Sequence, residues 1–248
     1  MKKLMTIFAV VTVFFAVSAA NATLIAQWEF EGNANDSIDS YHGAFTDGAT
    51  TTTDPTRGKV LTLDGDNDWV SVNNHDNFNN TTAFTVACWV KPDFSQSETY
   101  ARIYVKGSDT NWGLMRWAGG NNISFYIMHP IDGWVGVIGN DDVVTDGQWH
   151  HIAGVYDGTN VILYVDGVVD ANATTTTVAR STTSAKIGIG ASADAPYRPT
   201  GGLIDDVRFY NDAQSLTQIQ SWSGVPEPAT IALLCTGSLA ILRKKKYN

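Results

Sequence analysis

Trp117 and Trp134 each border a stretch of turn-forming residues, Ala118-Gly119-Gly120-Asn121 and Pro130-Ile131-Asp132-Gly133. An indole beside amides, carboxylates and a guanidinium suits sugar binding. The ring covers the apolar face of a pyranose while the polar groups bond its hydroxyls. Arg116 and Tyr197 are candidates for the rim of the same site, and packing of both indoles as core or loop staples is the alternative. Among the acids, Asp205 stands out. Strand alternation puts it on one face with Leu203, Val207 and Phe209, pointing inward, and leaves Asp206 in solvent. A buried carboxylate needs a partner, which a calcium ion, backbone amides or Arg208 could each supply. His150 and His151 are adjacent, so on a strand they project to opposite faces and cannot chelate one ion together. Catalysis is not expected. Glycosidases commonly need two flanking carboxylates, yet residues 23–225 hold only three glutamates, Glu29, Glu31 and Glu98. There is no Gly-x-Ser-x-Gly elbow either.

These side chains must be held by strands. In the stretch Asp146 to Gly167, Trp149, His151, Ala153 and Val155 alternate with His150, Ile152, Gly154 and Tyr156, which predicts a strand covered on both faces. Asp157-Gly158-Thr159-Asn160 is a turn cluster, Val161–Val165 a returning strand, and Asp166-Gly167 suits a tight type I′ turn. Elsewhere, strand patterns recur at Thr23–Phe30, Val60–Leu63, Trp69–Val72, Phe84–Lys91, Arg102–Lys106, Asn111–Trp117, Ile123–His129, Trp134–Ile138, Ala185–Gly190 and Leu203–Tyr210. The threonine-rich runs at 49–55 and 174–177 read as loops. One short helix is predicted, Leu216 to Ser221, capped by Ser215. Short strands separated by turn residues predict an all-β, two-sheet antiparallel sandwich.

Five motifs in order carry a resemblance over roughly residues 24 to 222. They are Leu61-Thr62-Leu63-Asp64-Gly65; Phe84-Thr85-Val86 with Trp89-Val90-Lys91-Pro92; Lys106-Gly107 before Trp112-Gly113-Leu114; Trp149-His150-His151-Ile152-Ala153 with Leu163-Tyr164-Val165-Asp166-Gly167; and Gly202 to Asn211. Together they resemble the laminin G-like, concanavalin A-like jelly-roll domains. The resemblance implies that Trp28, Trp89, Trp112, Trp149 and the histidine pair are packing residues, which singles out Trp117 and Trp134. It also implies neighbouring first and last strands, with a structural calcium carried over onto Asp36 and Asp205 and completed by Glu31 or backbone carbonyls. Glucanases of this fold carry a Glu-x-Asp-x-x-Glu strand motif, which is absent here. The fold itself hosts lectins, enzymes and structural modules alike.

The two ends differ from the middle. Lys2-Lys3, an apolar run from Leu4 to Val17 and Ala20-Asn21-Ala22 read as a secretory signal peptide over 1–22, ahead of a domain at 23–224. Residues 225–248 hold Pro226-Glu227-Pro228, an apolar run from Ala229 to Leu242 and the basic cluster Arg243-Lys244-Lys245-Lys246. This tail resembles the PEP-CTERM sorting signal of Gram-negative bacteria, which implies processing by an exosortase-type enzyme and membrane contact only before that step. The two ends take six of the 16 basic residues and one of the 25 acidic ones. Ten then face 24 in residues 23–225, a net charge of −14. Such a surface repels nucleic acid and suits cations. Cys88 is the one cysteine of that span and reads as a buried apolar residue. The expectation is an exported, noncatalytic lectin-like domain for a polysaccharide or glycoprotein at the cell surface or in the matrix. A structural matrix component without a specific ligand is the alternative, and a glycan hydrolase is the least favoured.

Overall fold

The computed structural model describes residues 23–79, 82–107, 110–129, 133–140, 146–175, 183–192 and 197–224. The expected signal peptide at 1–22 and the sorting tail with Pro226, Glu227 and Pro228 lie outside the described residues, as does the 130–132 turn.

Among the described residues, 15 antiparallel strands form two sheets. The first strand, β1 (Leu24–Trp28), runs beside the second half of the last, β15 (Gly201–Tyr210), with Trp28 opposite Val207. The eight-stranded sheet continues from β15 in two directions. On one side come β4 (Gly58–Asp64) and β3 (Thr50–Asp54); on the other come β6 (Phe84–Asp93), β11 (His150–Tyr156), β12 (Asn160–Val165) and β13 (Val168–Thr174). The seven-stranded sheet runs β10 (Gly133–Ile138), β9 (Ile123–His129), β8 (Trp112–Arg116), β7 (Arg102–Lys106), β14 (Ile187–Ile189), β5 (Trp69–Val72) and β2 (Gly43–Thr46).

Alternation decides which side chains meet between the sheets. Phe84, Val86, Cys88 and Val90 of β6 face Trp112, Leu114, Phe125 and Ile127 of the opposite sheet in one core. Its centre is aromatic: Trp112 lies 5.0 Å from Tyr104 and 5.6 Å from Phe209 between ring centroids, and Phe84 stacks on Phe209 at 6.0 Å. Burial pushes the Cys88 thiol above its ordinary range, as an apolar packing role requires.

The central hairpin follows its pattern. Asp166 and Gly167 both have positive φ, 48° and 74°, as a type I′ turn demands. The other face of β11 is covered too. Ala153 and Val155 join Ala87 and Tyr164 under Ile219 of helix α1 (Leu216–Trp222), whose cap Ser215 accepts from the Gln218 amide. Trp222 at the helix end stacks on Tyr210 at 4.8 Å.

Candidate functional site

The outer face of the seven-stranded sheet carries the aromatic residues. Leu114, Phe125 and Val137 point into the core, so Gly113, Tyr126, Trp134 and Gly136 point out. Two of these are glycines, and that makes room. A Cβ at Gly136 would lie 2.7 Å from Cζ2 of Trp134, and one at Gly113 would lie 2.8 Å from the Tyr126 hydroxyl. The Trp134 indole therefore lies along its own strand over Gly136. It reaches Trp117, whose ring centroid is 5.5 Å away. Trp117 follows β8 in a tight turn where Ala118 and Gly119 have positive φ, and its ring meets Tyr100 edge-on at 5.4 Å. Beyond Tyr100, the Arg198 guanidinium sits 5.2 Å from that ring and 4.7 Å from Tyr197. The result is one row: Trp134, Trp117, Tyr100, Arg198, Tyr197. Its two ends stand open, with Trp134 40% and Tyr197 46% exposed.

Three of the four residues expected at this site are thus joined. Arg116 has a different place. Its Nε donates to the Gly120 carbonyl at 2.7 Å, Nη2 to Gly119 at 2.7 Å, and Nη1 to Phe94 and Ser97 at 3.3 and 3.4 Å. Its guanidinium also lies 4.7 Å over the Phe94 ring. It positions the turn after Trp117 rather than presenting donors to a ligand. Tyr100 and Arg198 were not singled out from the sequence; both lie on loops far from Trp134 in the chain, and nothing local marks them.

Asp205 also departs from its expected position. Asp205 pairs with Trp89 and Arg208 with Ala87, so two residues oppose Cys88 alone, a β-bulge at which Asp206 takes φ 49°. The extra residue reverses the alternation. Ile204, Val207 and Phe209 enter the core, while Leu203 and Asp205 face outward. There Asp205 Oδ2 accepts from Arg57 Nε at 2.7 Å, and the guanidinium lies 4.3 Å over Trp89 and 5.3 Å from Trp149. Burial raises the Asp205 carboxyl to about 6, against the pull of Arg57. Arg208 pairs with Asp206 instead, at 2.7 Å, and Gln27 Nε2 also donates to Asp206.

Asp36 is a loop staple. Oδ1 accepts from the amides of Gln27 and Ile38 at 2.9 and 3.0 Å, and Oδ2 from those of Asp39 and Tyr41 at 3.0 and 3.3 Å. In the ladder, Trp28 stands between Asp36 and Val207. One carboxylate saturated by amides and another facing a guanidinium do not fit a shared calcium. Among the described residues, no group of three or more His, Cys, Asp and Glu is placed to hold a metal.

The histidines separate as strand geometry requires. His150 is clamped between Asp166 at 2.8 Å and Asp146 at 3.0 Å. Burial lowers its pKa, but hydrogen bonds to the two carboxylates outweigh that and leave it raised. His151 packs 5.4 Å from Trp89 and 6.3 Å from Trp222, and burial lowers it to about 4.

The two sheets packed face to face form a jelly-roll sandwich. The family model for the concanavalin A-like lectin/glucanases superfamily, of the laminin G type, matches residues 64–220, and the chain belongs to that family. Residues 224–246 match the PEP-CTERM protein-sorting motif, which indicates export and cell-surface sorting in bacteria. No curated protein matches the chain. Among solved structures, domain 4 of the GH43 extracellular arabinanase AbnA from Geobacillus stearothermophilus, in complex with arabinotriose, is similar with a TM-score of 0.65. Identity is 22%, over 82% of this chain and 98% of that one. The binding domain of Paraclostridial mosquitocidal protein 1 is similar at TM-score 0.67 and 13% identity, over 81% of this chain. The ligand-binding domain of botulinum neurotoxin serotype D, in complex with N-acetylneuraminic acid, gives 0.63 and 16%, also over 81%. The match spans only 51% and 50% of those two chains. At these identities the likeness is one of fold.

Proposed function

We propose that this protein is an exported, noncatalytic carbohydrate-binding domain, and that the row from Trp134 to Tyr197 receives the saccharide. The observation that carries this reading is the contiguity of Trp134, Trp117 and Tyr100, at centroid steps of 5.5 and 5.4 Å, with the Trp134 ring exposed at its end. A sugar ring stacks its apolar face on the exposed Trp134 indole, and the tilted rings beside it wall the site while hydroxyls reach nearby polar groups. Arg198 lies between the Tyr100 and Tyr197 rings, and Arg116 fixes the loop that carries Trp117. The buried carboxylates Asp36, Asp54, Asp68 and Asp205 already have backbone, hydroxyl or guanidinium partners, which supports binding over hydrolysis. Delivery would use residues 1–22 as the signal peptide and the Pro226-Glu227-Pro228 tail as the substrate of an exosortase-type enzyme in a Gram-negative-type envelope.

The test is a titration of the purified protein with arabinotriose, N-acetylneuraminic acid and a panel of polysaccharides, beside Trp117→Ala and Trp134→Ala. Losing a stacked indole at the centre of a site should weaken binding by about 10- to 100-fold. Undiminished binding by both variants would reject the row. No binding to any saccharide would favour a structural matrix role.

A further inference from the structure

On the far side of the Arg116-held loop lies an open cleft of ≈ 700 Å³ on the outer face of the eight-stranded sheet. Its floor is the cross-strand pair Lys91 and Leu203, which point outward because their neighbours Val90 and Ile204 are in the core. Asp93, Phe94, Arg116 and Asn121 form its walls. Helix α1 covers this sheet over Ala87, Ala153, Val155 and Tyr164, and the cleft is not part of that covered patch.

The charge here is unlike the rest of the surface. In a span of net charge −14, the cleft brings Lys91 and Arg116 against the single carboxylate of Asp93. The Arg116 donors already face four backbone carbonyls. Among the described residues, Lys91 makes no ion pair or hydrogen bond, so its ammonium is the group left to the cleft. Field lines concentrate in such a recess and favour an anion there even on an acidic protein. Phe94 and Leu203 add apolar surface, and Asn121 and Ser95 add hydrogen-bonding groups. That mixture suits a sugar ring better than a bare ion.

We propose that this cleft is a second ligand site, separate from the aromatic row, which takes a sugar carrying a carboxylate with Lys91 as its counter-charge. Trigalacturonate and its methyl ester, titrated into the purified protein, are the probes. Wild-type protein should bind the acid, bind it less as salt is raised, and bind the ester about tenfold more weakly. Lys91→Ala should lose the acid by about tenfold and Lys91→Glu by more, while Lys91→Arg restores it. In a Trp117→Ala/Trp134→Ala background, which removes stacking on the row, the acid should still bind about tenfold better than the ester, which separates this site from the row. Equal affinity for acid and ester, full binding by Lys91→Ala, no binding by wild type, or loss of the acid-over-ester preference once the row is removed would each overturn the proposal. Were the Lys91 variants to misfold, the ester comparison on wild type would still decide.

Discussion

Replacing Asp36 separates a loop staple from a calcium ligand. The carboxylate is 5% exposed and accepts four backbone amides. In Asp36→Ala all four lose their acceptor. Ile38 and Asp39 are exposed, so their amides regain water at little cost, whereas Gln27 and Tyr41 are half-buried. Hydrogen bonds to a charged group are worth about 1.5–3 kcal/mol each, so two uncompensated bonds give a loss of about 3–6 kcal/mol. For a domain of this size each kcal/mol moves the midpoint by about 2–4 °C, which makes the expected drop about 10 °C. Asp36→Asn keeps one acceptor oxygen but turns an NH₂ toward the Asp39 and Tyr41 amides, so it should fall part of the way. Calorimetry with and without EDTA is the assay. The staple predicts a wild-type midpoint indifferent to EDTA and a variant lowered equally in both buffers. If EDTA lowers wild type by several degrees and leaves Asp36→Ala where it was, the carboxylate holds a cation and the staple argument is wrong.

Two other outcomes follow from named contacts. The folded pKa of His150 is raised above its unfolded value near 6.5, so its contribution to stability is complete below that pH. It is lost as pH rises through the folded pKa. The thermal midpoint should therefore decline from about pH 6.5 upward in wild type and stay flatter in His150→Gln, and a wild-type midpoint rising in that window would contradict the clamp. Gly154→Ala would place a Cβ 2.3 to 2.6 Å from three carbons of the Phe125 ring across the core. Overpacking there should cost about 1–3 kcal/mol in urea unfolding, and less in a Phe125→Leu background, since the two sites share the clash.

What the sequence disclosed depended on how local the signal was. The β11–β12–β13 hairpins were legible because alternation and two turn dipeptides lie within 22 residues, and helix α1 because Ser215 precedes a short helical run. The threonine run Thr50–Asp54 read as loop, yet it is β3, paired along β4. Threonine fits a pleated edge, and no apolar alternation marks an edge strand whose side chains are mostly exposed. β2 was missed for the same reason, with its two central residues exposed. At the site, Trp117 and Trp134 were found by their turn-rich surroundings. The bulge at Asp206 has no such marker, and one extra residue was enough to send Asp205 to the opposite face and to Arg57. The role of Arg116 was hidden because its four carbonyl partners come from two separate loops.

Both proposed ligand surfaces arise where, among the described residues, no segment covers an outer sheet face. Strand alternation commits every second side chain to the shared core and leaves the others to be covered or solvated. On the eight-stranded sheet, α1 closes the patch over β6, β11 and β12 with Ile219 and Trp222, and the sheet end at Lys91 and Leu203 stays open. On the seven-stranded sheet, Gly136 leaves room instead for the Trp134 indole, which meets the tilted Trp117 ring. Arg116 stands between the two surfaces. Its guanidinium grips Phe94 and Ser97 on the cleft side and Gly119 and Gly120 on the Trp117 side. The two surfaces are chemically distinct, one aromatic and one cationic, yet they share one wall. A change at Arg116 must therefore disturb both, whereas changes at Trp134 or Lys91 should each disturb only one.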